Sequence, residues 1–279
     1  MTAMDLLSLQ EDINHFLRED LGTGDVTSQA IFSPDTLGRA TFVAKSRFIC
    51  TGMAVAAQVF RSRIPDLMYT AIEDGRHIKP GDEIFSCQGP VLELLQAERV
   101  ALNLVQRLCG IATLTHDFVK TIEDLPTKIT DTRKTTPGLR VLEKYAVRIG
   151  GGHNHRFNLA DGILIKDNHI AACGSITEAV KRVRSHAPHT LKIEVETENI
   201  DQVKECLKAK VDIIMLDNML PVKMREAVSL INSQALVEAS GGVTIENIRE
   251  IAETGVDIVS IGALTHSAPA SDISMELTT

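Results

Sequence analysis

Apolar positions along this chain change their period twice, and the changes divide it into three stretches. Residues 4–19 set Leu6, Leu7, Ile13, Phe16 and Leu17 on helical spacing, which predicts a helix ending near EDLGTGD, where Gly22 and Gly24 make a turn. Short alternating runs follow: RATFVAK (39–45), YTAIEDG (69–75), the turn KPGDE (79–83) and IFSCQGPVLEL (84–94). They read as a small β-rich unit with tight turns. From Leu95 to about Ile122 the period returns to helical, with Val100, Leu104, Leu108 and Ile111 as the apolar stripe and Gly110 as a candidate break. After Lys128 short apolar runs alternate with loops and helical segments: KIT, GILI, LKIEVE, DIIML, LVEA and DIVSI. That rhythm predicts βα units on a parallel sheet. The six runs are fewer than the eight strands of a closed (β/α)₈ barrel. The fold class expected is therefore α/β, an incomplete parallel αβ barrel preceded by an N-terminal α/β domain.

Each run in the last stretch ends on a polar or small group. In order these are Arg133 and Lys134, Lys166, Glu196, Asp217, Ser240-Gly241-Gly242 and Gly262-Ala263. Parallel strands of a barrel converge at their C-terminal ends, where catalytic groups collect. Arginine forks bind carboxylates in pairs and lysine supplies a point charge. Carboxylates at strand ends hold Mg²⁺ or sugar hydroxyls, and glycine turns before helix N-termini hold phosphate. Two ligands are implied, a sugar phosphate and a dianionic acid. The competing explanation is a set of loop charges facing solvent.

Composition sharpens this. The chain of 279 residues carries a formal charge of −8. Yet residues 128–169 hold Lys128, Arg133, Lys134, Arg140, Lys144, Arg148, Arg156 and Lys166 against Asp131, Glu143, Asp161 and Asp167, a local excess of +4. A cationic site on an acidic protein points to a small polyanion in a pocket and away from nucleic acid. No apolar run approaches the ~18 residues of a membrane helix, and the acidic N-terminus is unlike a signal peptide. Five scattered cysteines without a C-x-x-C predict reduced thiols and a cytoplasmic location, with Cys109 and Cys206 as core filler. No G-x-G-x-x-G follows the first strand, and GGHNH lacks the Lys-Ser/Thr of a P-loop. His153 and His155 have no third ligand at zinc-like spacing, which favours a hydrogen-bonding role for His155. Arg99 reads either as a solvated neighbour of Glu98 or as a functional group, and Lys210 stands where a helix end prefers glycine.

Seven stretches in one order carry a resemblance: EDLGTGDVTS (19–28), AERVALNLVQRLCGIAT (97–113), DTRKTTPGLRVLEKYAVRIGGGHNHR (131–156), ILIKDNHI (163–170), IMLDNM (214–219), EASGGV (238–243) and SIGALTHSAPA (260–270). The chain resembles the decarboxylating quinolinate phosphoribosyltransferase family over nearly its whole length. It departs at Cys109, Ile149 and Lys210, where the family usually has Ser, Cys and Gly.

The resemblance implies an N-terminal α/β sandwich over 1–105, rejoined by the chain end at 267–279, and a phosphoribosyltransferase barrel over 106–266. It implies transfer of phosphoribose from phosphoribosyl pyrophosphate to quinolinate, with Mg²⁺, giving nicotinate mononucleotide, pyrophosphate and CO₂ in NAD biosynthesis. The acid would meet Arg99, Arg133, His155, Arg156 and Lys166; Lys134 would lie toward the pyrophosphate, and Thr132 would also bind substrate. Glu196 and Asp217 would hold ribose hydroxyls or Mg²⁺ and steady the charge at C1, with Lys134, Glu196 and Asp217 as the catalytic set. Ser240, Gly241, Gly242, Gly262 and Ala263 would hold the 5′-phosphate, with Ile261 among the substrate-binding residues. Between Glu194 and Glu196 the strand end and the family position select Glu196. The partners expected are the two small substrates and a second copy, in a homodimer that shares its sites through Arg99; assembly into hexamers is left open. Three rivals remain: a relative acting on another pyridine carboxylate or linked to molybdenum use, a Schiff-base lyase using Lys166, and a non-enzymatic scaffold.

Overall fold

The computed structural model describes residues 6–279. Residues 4 and 5 of the expected first helix lie outside them. That helix, α1 (Leu6–Leu21), buries Ile13 and Leu17. After the glycine turn, α2 (Val26–Ile31) is capped by Asp25, which accepts from Ser28 N at 3.0 Å. Next come β1 (Leu37–Ala44), β2 (Phe48–Ile49), α3 (Met53–Arg61), β3 (Tyr69–Ala71), β4 (His77–Ile78) and β5 (Glu83–Pro90). Phe42 and Phe85 face each other across β1 and β5, and Phe60 of α3 joins them, with ring centroids 5.3–5.9 Å apart. All three are almost fully buried. Each such pair contributes about 1 kcal/mol beyond the area it removes from water.

Two sequence expectations are corrected here. The strand ends at Pro90, and VLEL opens α4 (Val91–Thr121) instead of continuing it. Val91 and Leu94 are buried three residues apart, a helical spacing, and Pro90 has no N–H to extend the ladder. Gly110 does not break α4. A Cβ there would overlap the Pro269 carbonyl, so glycine admits a close backbone approach.

Downstream lie β6 (Lys128–Thr130), α5 (Arg140–Ile149), β7 (Ile163–Ile165), α6 (Asp167–Cys173), α7 (Ile176–His186), β8 (Ile193–Thr197), α8 (Ile200–Ala209) and β9 (Ile213–Asp217). The chain finishes with α9 (Pro221–Ile231), β10 (Leu236–Ser240), α10 (Ile248–Ala252), β11 (Ile258–Ser260), α11 (Ala263–His266) and β12 (Ile273–Thr278). Packing divides the molecule into residues up to 114 with 136–150 and 267–279, and a second unit of 115–135 with 151–266. In the first unit the sheet order is β12-β1-β5-β3, with β12 antiparallel to β1.

The second unit holds the six parallel strands in the order β6-β11-β10-β9-β8-β7. The sheet leaves β6 and β7 as its edges, and His153 bridges in parallel to Thr130 beside β6. Side chains alternate along each strand. Ile214 and Leu216 are fully buried against the helical layer, as are Val195, Ala239 and Val259 on their strands. Each Val, Leu or Ile so buried contributes roughly 1.5–3 kcal/mol. Caps and stops follow the sequence: Ser175 caps α7, Asn199 caps α8, Pro221 opens α9, and Lys210 ends α8 in the left-handed region at φ 54°. Among the described residues no helix is long and apolar enough to cross a membrane.

Candidate active site

The C-terminal strand ends of the second unit surround a cavity of about 510 Å³. Its lining includes Thr132, Arg133, Lys134, His155, Arg156, Lys166, Glu196, Asp217, Ser240, Gly241 and Gly242. The strand ends therefore do face one space, and the solvent-facing explanation of their charges fails. Period-two alternation explains the selection. On β8, Glu194 and Glu196 share the inner face, and Glu196, nearer the strand end, reaches this cavity. Asp217 closes β9 and Ser240 closes β10, paired in register.

The loop after β6 is fixed by local hydrogen bonds. Lys134 N donates to Thr132 Oγ1 at 3.0 Å, and Thr265 Oγ1 donates to the Lys134 carbonyl at 2.8 Å. Asp131, fully buried, accepts from His155 N at 2.9 Å and from Asn154 Nδ2 at 2.6 Å. It joins the DTRK loop to the HNHR segment, a role the sequence did not reveal. Arg156 Nη1 donates to the Gly162 carbonyl at 2.8 Å. Burial, then the Arg133 guanidinium, lower the Arg156 pKa, while Glu194 and Asp161 oppose them. Lys166 Nζ meets Glu196 Oε2 at 2.5 Å.

At the glycine turn, Gly241 adopts φ 92° and any Cβ would overlap the Asn218 side chain. Asn218, itself at φ 52°, donates from Nδ2 to Asp217 Oδ2 at 2.7 Å. The glycine thus lets an amide sit beside the strand-end carboxylate, another contact absent from the sequence reading.

Four of the cited residues are not in the cavity lining: Arg99, Ile261, Gly262 and Ala263. Ile261 is buried and donates its N–H to the Thr130 carbonyl, and Gly262 lies against the Lys134 side chain. Arg99 sits on α4 in the first unit, exposed, 3.6 Å from Glu98. The local charge excess also divides. Arg140, Lys144 and Arg148 lie on α5 in the first unit, where Lys144 is fully buried, so three of the eight cations belong to the other unit.

A second cavity of about 450 Å³ opens at the opposite strand ends, between Lys128, Ile163, Lys192, Ile213 and Ile258. His155 and Arg156 line both spaces. Beside this cavity His155 Nε2 lies 3.2 Å from Glu194 Oε2 and 3.7 Å from Glu238 Oε1. Ligand atoms of the three residues fall within 4.8 Å of one another. Sequence spacing offered His155 no third ligand, but strand alternation brings it two acidic neighbours, one from β8 and one from β10. Burial, then Glu194 repulsion, raise the Glu238 pKa to about 7, with His155 opposing. The cysteines behave as core: Cys109 and Cys206 are fully buried, and burial pushes the Cys206 thiol up to about 12.

Comparison with known proteins fits this geometry. The family described as "Quinolinate phosphoribosyl transferase, C-terminal domain" matches residues 111–276, and its N-terminal counterpart matches 25–109. The chain belongs to the quinolinate phosphoribosyltransferase family. A probable nicotinate-nucleotide pyrophosphorylase (carboxylating) of Bacillus subtilis is 49% identical, covering 99% of this chain and 95% of that protein. Its counterpart in Synechocystis is 45% identical over 95% of this chain and 91% of its own length. The crystal structure of NadC from Streptococcus pyogenes superposes with a TM-score of 0.95 at 40% identity, covering 100% and 99% of the two chains. Family membership, the six-stranded parallel sheet and the separate N-terminal sheet all agree with the sequence expectations.

Proposed function

We propose that this chain transfers phosphoribose from phosphoribosyl pyrophosphate to quinolinate with loss of CO₂, forming nicotinate mononucleotide and pyrophosphate in de novo NAD biosynthesis. The observation that carries the reading is one cavity lined by Arg133, Lys134, Arg156 and Lys166 together with Glu196 and Asp217, in a member of this family. Two adjacent carboxylates on a flat ring suit Arg133, Arg156 and Lys166, with the arginine forks fixing the ring's direction. Lys134 faces the pyrophosphate. Ser240, Gly241 and Gly242 offer backbone N–H groups and a hydroxyl to the 5′-phosphate. The ring nitrogen attacks C1 of the ribose as the bond to pyrophosphate breaks, and Glu196 and Asp217 steady the positive charge growing there. The quaternised nitrogen then stabilises the electron pair left on C2 when CO₂ departs, and a proton from water completes C2. Most of the work is positioning and neutralisation.

Glu196 and Asp217 stand on paired strands with oxygen donors toward the cavity. Two carboxylates completed by substrate oxygens are the donor set Mg²⁺ takes in phosphate chemistry, so the residues fit it. Mg²⁺ held there supplies charge neutralisation for the leaving pyrophosphate. A Schiff-base role for Lys166 is disfavoured by its contact with Glu196, which already engages the nitrogen. Five free cysteines suit a reducing cytoplasm, where we place the activity. The reading includes a homodimer in which Arg99 completes the neighbour's site. Mixing Arg99→Ala with Lys134→Ala protein tests this: restored turnover is expected, and none after subunit exchange contradicts it. Comparing quinolinate with nicotinate as acceptor tests the substrate. Preference for nicotinate would move the assignment to another pyridine-carboxylate transferase.

A further inference from the structure

We propose that Glu194 and Glu238 are positioning residues for quinolinate recognition, holding the His155 ring so that it fixes the backbone from which Arg156 reaches the acid. The inference rests on the function proposed above. Alternation along β8 and β10 brings both carboxylates to the inner face, two residues before Glu196 and Ser240 respectively. Glu194 and Glu238 are 4% and 2% exposed, and the Oε1 atom of each lacks a hydrogen-bond partner within the protein. Burying two such groups costs the fold desolvation that an apolar pair would not. The gain is geometric.

His155 Nε2 points at the two carboxylates, 3.2 Å from Glu194 and 3.7 Å from Glu238. On the other side of the ring, the Arg156 backbone N–H donates to Nδ1 at 2.8 Å. An accepting Nδ1 leaves the ring hydrogen on Nε2, aimed at Glu194. The carboxylates thereby select the tautomer, and the tautomer secures the Arg156 amide. Asp131 holds the same segment through His155 N, so ring and backbone are clamped separately. Glu194 also opposes the burial and the Arg133 charge that disfavour a cationic Arg156.

An imidazole with two carboxylates is equally a ligand set for a metal ion. The Nδ1 contact argues against it. With hydrogen on Nε2, no lone pair faces the carboxylates, whereas a metal-bound imidazole carries its hydrogen on the nitrogen away from the ion.

Glu194→Ala and Glu194→Gln separate positioning from simple packing, because glutamine keeps an acceptor for Nε2–H and alanine does not. In steady-state assays the alanine variant is expected to raise KM for quinolinate about tenfold or more. Its KM for phosphoribosyl pyrophosphate should stay within about twofold, and the glutamine variant within about threefold of wild type for both. An unchanged quinolinate KM in the alanine variant would overturn the proposal. So would equal damage in both variants, parallel rises in the two KM values, or a loss confined to kcat. Should the alanine variant fail to fold, ¹⁵N NMR of histidine-labelled wild type decides, with His155 assigned by its absence in His155→Gln. Hydrogen on Nε2 supports the proposal and hydrogen on Nδ1 overturns it. Wild-type protein that ignores quinolinate would refute the parent reading and leave the tautomer result standing.

Discussion

Replacing Glu238 by glutamine should make the protein more stable at pH 8 than the native residue allows. Glu238 is 2% exposed, and burial followed by repulsion from Glu194 raises its pKa from 4.5 to about 7. Below about pH 4.5 the folded and unfolded chains both hold this proton. Between that pH and about 7 the folded chain keeps it while the unfolded chain releases it, so stability falls as pH rises. Above the folded value the loss is complete. A shift of this size corresponds to at most about 3 kcal/mol, and relaxation around a buried pair brings the expectation to about 1–3 kcal/mol. Glutamine copies the shape of the protonated acid and cannot ionise. Calorimetry at pH 5, 6, 7 and 8 on both proteins isolates the titration of Glu238 with its neighbours Glu194 and His155, since distant titrating groups cancel in the difference. The variant's Tm should gain about 2–8 °C on wild type between pH 5 and 8. A constant difference, or one that moves against the variant as pH rises, would refute the reasoning.

Other outcomes follow from single contacts. Gly241→Ala forces a Cβ into the Asn218 amide at φ 92°, and should cost about 100-fold in turnover while circular dichroism stays native; an active variant would show that the turn can shift freely. Asp74 accepts from Gly52 N at 2.9 Å, Met53 N at 3.2 Å and Tyr145 Oη at 2.7 Å, capping α3 where Gly52 has no side chain to do so. Asp74→Ala should therefore cost about 2–4 kcal/mol in urea unfolding against about 1 kcal/mol for Tyr145→Phe, and equal losses would contradict the capping role. Lys134→Ala and Arg156→Ala should keep the fold and remove most turnover; a folded Arg156→Ala enzyme of near wild-type activity would contradict the site assignment.

The barrel was legible because its strands are short runs of Ile, Val and Leu that end at distinct chemistry. Lys166, Glu196, Asp217 and Ser240 all line the mouth. What escaped the sequence depended on contacts between distant segments. Asp131 binding His155 and Asn154, or Gly241 making room for Asn218, leaves no periodic trace. Contiguity misled in one place: α5 lies between β6 and β7 in sequence yet packs with the first unit, taking Arg140, Lys144 and Arg148 with it. Gly110 showed the limit of punctuation rules, since its missing side chain serves a passing backbone and the helix runs on. Glu194 and Glu238 could have been found. Each stands two residues before a strand-end group, the offset that turns a side chain to the same inner face.

The central claim is that the cations and carboxylates of one cavity couple phosphoribosyl transfer to decarboxylation. The most direct measurement follows CO₂ and pyrophosphate together from carboxyl-labelled quinolinate and phosphoribosyl pyrophosphate, with and without Mg²⁺. Equal release of the two products, dependent on both substrates and abolished without Mg²⁺, is the predicted result. Pyrophosphate without CO₂, or neither product from folded protein, would contradict it.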